Sequence, residues 1–195
     1  SGGNIAASSV LVVNITGNNT SALNIESGGN ATITGPFTID VTGDNSSALN
    51  LQNGSNLFTT GDVIAHIIGT YTNPLNMQSG SHITAGSINI NVNGGNTNAF
   101  NIQGNIEATT LTANITGDNA NVINLQAGGN IATTGAVAVT MSGMNSNAFN
   151  IGGTATIGAI TANITGSNNH ALNIQTGGSV TATGAIAVSI MNGDN

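Results

Sequence analysis

The sequence predicts an all-β, right-handed parallel β-helix. This β-solenoid has about 25 residues and three short strands per coil, in seven to eight coils, with residues 1–195 as a single domain. Three observations carry the prediction. A tetrad of the form small–aliphatic–Asn–aliphatic recurs along the chain. A second anchor, a strand ending in Gly, keeps the same period. The composition, with 28 Gly, 33 Asn and 26 Thr against no Lys or Arg and seven acids, is poor in helix formers.

The tetrads are Ala22-Leu23-Asn24-Ile25, Ala48-Leu49-Asn50-Leu51, Pro74-Leu75-Asn76-Met77, Ala99-Phe100-Asn101-Ile102, Val122-Ile123-Asn124-Leu125, Ala148-Phe149-Asn150-Ile151 and Ala171-Leu172-Asn173-Ile174. Their asparagines are spaced by 26, 26, 25, 23, 26 and 23 residues, the signature of a stacked repeat. The Gly anchor reads Asn14-Ile15-Thr16-Gly17, Asp40-Val41-Thr42-Gly43, Asn114-Ile115-Thr116-Gly117 and Asn163-Ile164-Thr165-Gly166. Looser copies end at Gly69, Gly94 and Gly143, and an eighth runs into Met191-Asn192. The shorter repeats are expected to lose residues in one turn only, where Gln103-Gly104-Asn105 replaces Gln126-Ala127-Gly128-Gly129-Asn130.

Each coil divides into three strands of period two. The first, as in Phe37-Thr38-Ile39-Asp40-Val41 or Ile88-Asn89-Ile90-Asn91-Val92, turns alternate aliphatics inward. Ile39, Ile90, Val139 and Ile164 are expected inside, with Thr38, Asn89, Ala138 and Asn163 outside. The second strand is the tetrad, with its aliphatics inward and Asn outward. The third is Asn130-Ile131-Ala132-Thr133-Thr134 and its equivalents. Gly, Asn, Asp and Ser fill the turns, where Gly supplies positive φ and Asn tolerates it. About seven inward side chains per coil are expected: in the fifth coil Leu111, Ala113, Ile115, Ile123, Leu125, Ile131 and Thr133. At a strand spacing of about 4.8 Å the rod is roughly 35 Å long. Right-handedness follows from the usual hand of parallel crossovers.

Copies such as Ser46-Ser47-Ala48-Leu49-Asn50-Leu51-Gln52-Asn53-Gly54-Ser55, followed by Thr59-Thr60-Gly61, resemble the β-helical passenger regions of bacterial autotransporters, the pertactin-like and filamentous-haemagglutinin-like surface proteins. The resemblance spans the chain. It implies secretion through a bacterial envelope and display at the cell surface, as an adhesin or a surface-fibre repeat protein. The family's membrane-embedded barrel and secretion signal are not in this sequence, and the lack of Lys and Arg departs from most members.

A formal charge of −7 without Lys or Arg excludes phosphate-driven nucleic-acid binding and direct attraction to anionic membranes. Without Cys there is neither a disulfide nor a thiolate site. No cofactor is expected. The tetrad asparagines Asn24, Asn50, Asn76, Asn101, Asn124, Asn150 and Asn173 should form a structural amide ladder along the axis. The outward column of the first strand reads Asn14, Asp40, His66, Asn91, Asn114, Thr140, Asn163, Ser189, making Asp40 and His66 neighbours, expected as a surface ion pair. Asp44, Asp118 and Asp194 each sit in a Gly-Asp-Asn turn. Turn geometry accounts for them, and calcium is the alternative reading. Asn-x-Thr triplets are expected from composition. In one coil the outward positions turn apolar: Ile64, His66 and Ile68, with Phe58 before and Tyr71 after, form a candidate lateral contact patch.

The chain therefore reads as a non-enzymatic extracellular structural protein, a rod segment of a surface adhesin or a subunit of a surface fibre. The alternative is a binding protein for an extended surface, glycan or ice; Thr-x-Thr pairs such as Thr32/Thr34 and Thr181/Thr183 suggest ice, but Phe58, Gly86, Glu107 and Gly158 interrupt their columns. Polysaccharide cleavage is disfavoured because no two acids face each other in adjacent coils. Ser1-Gly2-Gly3-Asn4 matches the register of Ser27-Gly28-Gly29-Asn30, and Gly193-Asp194-Asn195 that of Gly43-Asp44-Asn45. Without capping residues at either end, the expected partners are further coils of a longer chain or copies stacked end to end, besides host or matrix glycans and proteins.

Overall fold

The period-two alternation leaves one face of every strand apolar, and a chain built of such strands buries them by coiling on itself. The computed structural model describes residues 3–167 and 169–191. It is all-β, a parallel β-solenoid of about 7 turns with about 26 residues per turn. The second strands form a seven-stranded sheet, and the first and third strands belong to one 14-stranded sheet. Pairing is parallel and in register throughout: Asn14, Asp40, His66, Asn91, Asn114, Thr140, Asn163 and Ser189 follow one another from coil to coil.

The core is an apolar column, mostly aliphatic, with Phe37, Phe100 and Phe149 buried in it. Ile39, Ile90, Val139 and Ile164 are buried, while Thr38, Asn89 and Ala138 are half-buried and Asn163 is exposed on the outer side. All the inward residues of the fifth coil, Leu111 through Thr133, are buried, and so are Ala120 and Val122, which the alternation alone does not place inside. The reason lies at the corner before the tetrad. Pairing passes from Ser21↔Ser47 to Leu23↔Leu49, and the residue between turns into the core beside the leucine. The count of about seven inward residues per coil was thus too low. Corner hydroxyls are buried too: Thr72 Oγ1 and Thr97 Oγ1 lie 3.1 Å apart, and Ser55 Oγ donates to the Gln52 carbonyl at 2.7 Å. Buried polar groups persist only when bonded, and these are.

The length variation corrects one expectation. Short coils lose residues at two corners, not one. The turn after the tetrad shortens before Asn105 and Thr154, which pair with Asn130. The junction between third and first strands also shortens: Ala108 and Leu111 pair with Thr133 and Val137, and Ile157 and Ile160 with Ala182 and Ile186. Ala85-to-Ile88 is short in the same way, with a full turn preceding it. At two of these three short junctions the strands run on unbroken, as His82–Asn93 and Asn105–Thr116, and join the two faces into one sheet, while Thr154–Ile157 and Ala159–Thr165 stay parted at Gly158.

The Gly anchor has a steric cause. A Cβ on Gly43, Gly69, Gly94, Gly117, Gly143 or Gly166 would overlap the carbonyl oxygen of the preceding coil's glycine. Two residues further on, Asn19, Asn45, Asn96, Asn119 and Asn145 lie in the left-handed region, with φ between 54° and 57°. In the third coil the residue at this corner is Tyr71, at φ 56°.

Candidate functional site

The most regular polar feature covers the second-strand face. Asn50 Nδ2 donates to Asn24 Oδ1 at 2.7 Å, and the steps Asn76 to Asn50, Asn101 to Asn76, Asn124 to Asn101, Asn150 to Asn124 and Asn173 to Asn150 repeat this at 2.8–2.9 Å. Gln126 Nε2 also donates to Asn101 Oδ1 at 2.8 Å. Each amide spends one donor and one acceptor along the axis and braces the stack. Shorter ladders stand beside it, Asn147 to Asn121 at 2.7 Å and Asn56 to Asn30 at 2.9 Å.

The acids serve the turns. Asp44 Oδ1 accepts the Thr70 backbone N–H at 2.8 Å and the Thr70 hydroxyl at 3.0 Å. The backbone bond first, and then the hydroxyl bond, hold the Asp44 carboxyl below the usual carboxylate range. Asp118 Oδ1 accepts the Met144 N–H and Asp62 Oδ1 the Ser87 N–H, at 2.8 and 2.9 Å. These bonds tie one coil to the next and account for Asp at these places. Asp194 lies outside the described residues. Among the described residues no three of His, Cys, Asp and Glu gather to hold a metal ion.

The first-strand face is different in the third coil. His66 Nδ1 sits 2.8 Å from Asp40 Oδ1, an ion pair when the imidazole is protonated, with both side chains about half exposed. With its amide nitrogen toward the carboxylate, Asn14 donates to Asp40 Oδ2 at 3.0 Å, so both carboxylate oxygens are occupied. Ile68 is 57% exposed, Phe58 47% and Tyr71 61%, whereas Ile64 is half-buried. These five residues do not share one plane. Ile64, His66 and Ile68 project from Val63–Ile68, Phe58 from the preceding third strand Asn56–Thr59, and Tyr71 stands at the next corner.

His66 and Ile68 belong to a shallow depression whose other walls are Asn91, Asn93, Asn114 and Thr116. It forms because side chains shrink beyond the third coil: His66 is followed by Asn91 and Asn114, and Ile68 by Asn93 and Thr116. The sequence placed Asn91 and Asn114 in this column; the contribution of Asn93 and Thr116 was missed, though their position two residues further along the strand was a usable signal. A non-Gly residue as large as Tyr in the left-handed region costs about 1–2 kcal/mol. That Tyr71 occupies it was not legible without the corner's φ.

At both ends of the described stack the inward columns meet solvent. Ile186, Val188 and Ile190 are exposed at one end and Ile5 at the other. The fold and its ladders define the chain as a β-solenoid repeat protein. Comparison with protein-family models, with curated proteins and with solved structures gives no match.

Proposed function

We propose that this chain is a non-enzymatic structural protein of the extracellular space, a rod segment of a bacterial surface adhesin or a subunit of a surface fibre. The observation that carries the reading is the unbroken in-register stack. Each step from Asn24 to Asn173 is bridged by an amide hydrogen bond, and the paired strands keep one aliphatic core. Such a quasi-one-dimensional architecture grows by adding coils, and its length rather than a pocket is what it delivers.

The exposed inward columns favour continuation. Ile186, Val188 and Ile190 repeat the register of Ile160, Ala162 and Ile164, so a further coil would pack on them in the same way. That coil belongs to a longer chain or to another copy. A formal net charge of −7 with neither Lys nor Arg suits a soluble surface that repels anionic membranes and nucleic acids.

Negative-stain microscopy and sedimentation velocity over a range of concentrations test the proposal. Straight rods of uniform width, lengthening with concentration or with added flanking coils, are expected. Compact particles of fixed mass under all these conditions would overturn the structural role, as would release of reducing ends from a polysaccharide.

A further inference from the structure

We propose that the depression on the first-strand face, lined by His66, Ile68, Asn91, Asn93, Asn114 and Thr116, binds a neutral saccharide. This goes beyond the rod reading and does not depend on it. The repeats supply the internal control. In the two columns concerned, other coils carry Asn, Asp, Thr or Ser between the coil of Asn14 and that of Thr165, and only the third carries an imidazole and a branched aliphatic. The same coil holds Tyr71, the chain's one tyrosine, in a backbone conformation that the corresponding corners give to Asn. Three departures within six residues of one coil, one of them strained, mark a site rather than drift.

The chemistry of the lining selects the ligand. Asn114 Nδ2 donates to Asn91 Oδ1 at 2.7 Å and Asn91 Nδ2 to Asn89 Oδ1 at 3.3 Å. Each of these amides keeps a second N–H, and Asn93 keeps its whole amide for a ligand, as no hydrogen bond of its side chain occurs among the described residues. An array of paired donors and acceptors suits hydroxyl groups, which are themselves both. Ile68 and the face of the His66 ring supply the apolar surface on which the C–H side of a sugar ring packs, and Tyr71 stands three residues beyond Ile68 at the corner. Asp40 Oδ1 lies 2.8 Å from His66 Nδ1, which fixes the ring and leaves Nε2 without a protein partner among the described residues. Asp40 Oδ1 faces His66 Nδ1 and Asp40 Oδ2 accepts from Asn14, so both carboxylate oxygens are engaged, and Asp40 is not among the residues that line the depression. With no Lys or Arg anywhere and a net charge of −7, uronates, sulfates and phosphates find no counter-charge. The groove crosses three coils along the axis, a span of about 10 Å between the first and the last, comparable to a disaccharide.

The experiment is a ¹H–¹⁵N NMR titration of the intact chain with neutral tetrasaccharides (cellotetraose, laminaritetraose, maltotetraose, mannotetraose and chitotetraose), with tetragalacturonate as the charged comparator. At least one neutral sugar is expected to shift the side-chain amides of Asn91, Asn93 and Asn114 while leaving Asn150 on the second-strand face unmoved, and tetragalacturonate to shift none. His66→Asn and Ile68→Thr install residues that neighbouring coils carry in those columns, so both variants fold. Each should weaken binding at least tenfold with an unchanged circular dichroism spectrum. The proposal is overturned if no neutral sugar moves these amides, if Asn150 moves equally, if the acidic sugar binds as well, or if both variants bind as the parent does.

Discussion

Replacing Gly94 with Ala should break the stack locally although it adds a single methyl group. Gly94 lies outside the left-handed region, so backbone strain does not enter. The new Cβ would overlap the Gly69 carbonyl oxygen, with the Gly69 carbonyl carbon at 2.5 Å. Both are backbone atoms of a paired neighbour and cannot rotate away. The two coils must separate, which loosens the bonds from Gly69 N–H to the Asn93 carbonyl at 3.1 Å and from Tyr71 N–H to the Gly95 carbonyl at 3.0 Å. Overpacking costs about 1–3 kcal/mol and each weakened hydrogen bond about 1 kcal/mol, for a sum of about 3–5 kcal/mol. The comparator is Gly128→Ala. Gly128 has φ 85° with nothing within 4 Å of its Cβ position, so Ala there meets only left-handed strain, about 1 kcal/mol. Urea denaturation followed by circular dichroism compares the two. If Gly128→Ala proves as destabilising as Gly94→Ala, the close approach of the glycine column is not what selects glycine.

The remaining expectations concern the core, the ladder, the turns and the strained corner. Ile90→Asp places a lone carboxylate at a site 1% exposed and should cost several kcal/mol, whereas Asn89→Asp on the outer side should change the melting temperature little; equal losses would reverse the inside–outside assignment. Asn101→Ala removes the acceptor of Asn124 and Gln126 and the donor to Asn76, so a loss of about 1–3 kcal/mol is expected by denaturant titration. Because the folded-state pKa of Asp44 is lowered, its stabilisation is present above the unfolded carboxylate range and is lost as pH falls through the lowered value. Asp44→Asn should therefore flatten the acid limb of a stability–pH curve, and an unchanged limb would assign acid sensitivity elsewhere. Tyr71→Asn restores the residue of the other corners and should raise stability by about 1 kcal/mol, read as an upward shift in urea midpoint.

The strand class, the period and the register are all written in the repeat. The tetrad and the Gly anchor recur once per coil, and in a parallel stack a residue's column is set by its place in the repeat. The columns from Asn14 to Ser189 and from Asn24 to Asn173 are therefore legible in the repeat, and the Asp40–His66 neighbourhood with them. Corners were less legible, since period-two reasoning ends where the strand bends. Ala48, Ala120 and Val122 turn inward there, and the loss of one junction residue at Ala85–Ile88 and Ala108–Leu111 shows only as a spacing of 25 or 23 until pairing locates it. Three further features arise only when the coils stack. Gly94 is glycine because the preceding coil's backbone lies against it, Tyr71 sits in a conformation suited to Asn, and Asn93 and Thr116 join His66 in one depression. Each depends on distances between coils and on backbone dihedrals at corners, which are properties of the stacked chain rather than of any single repeat.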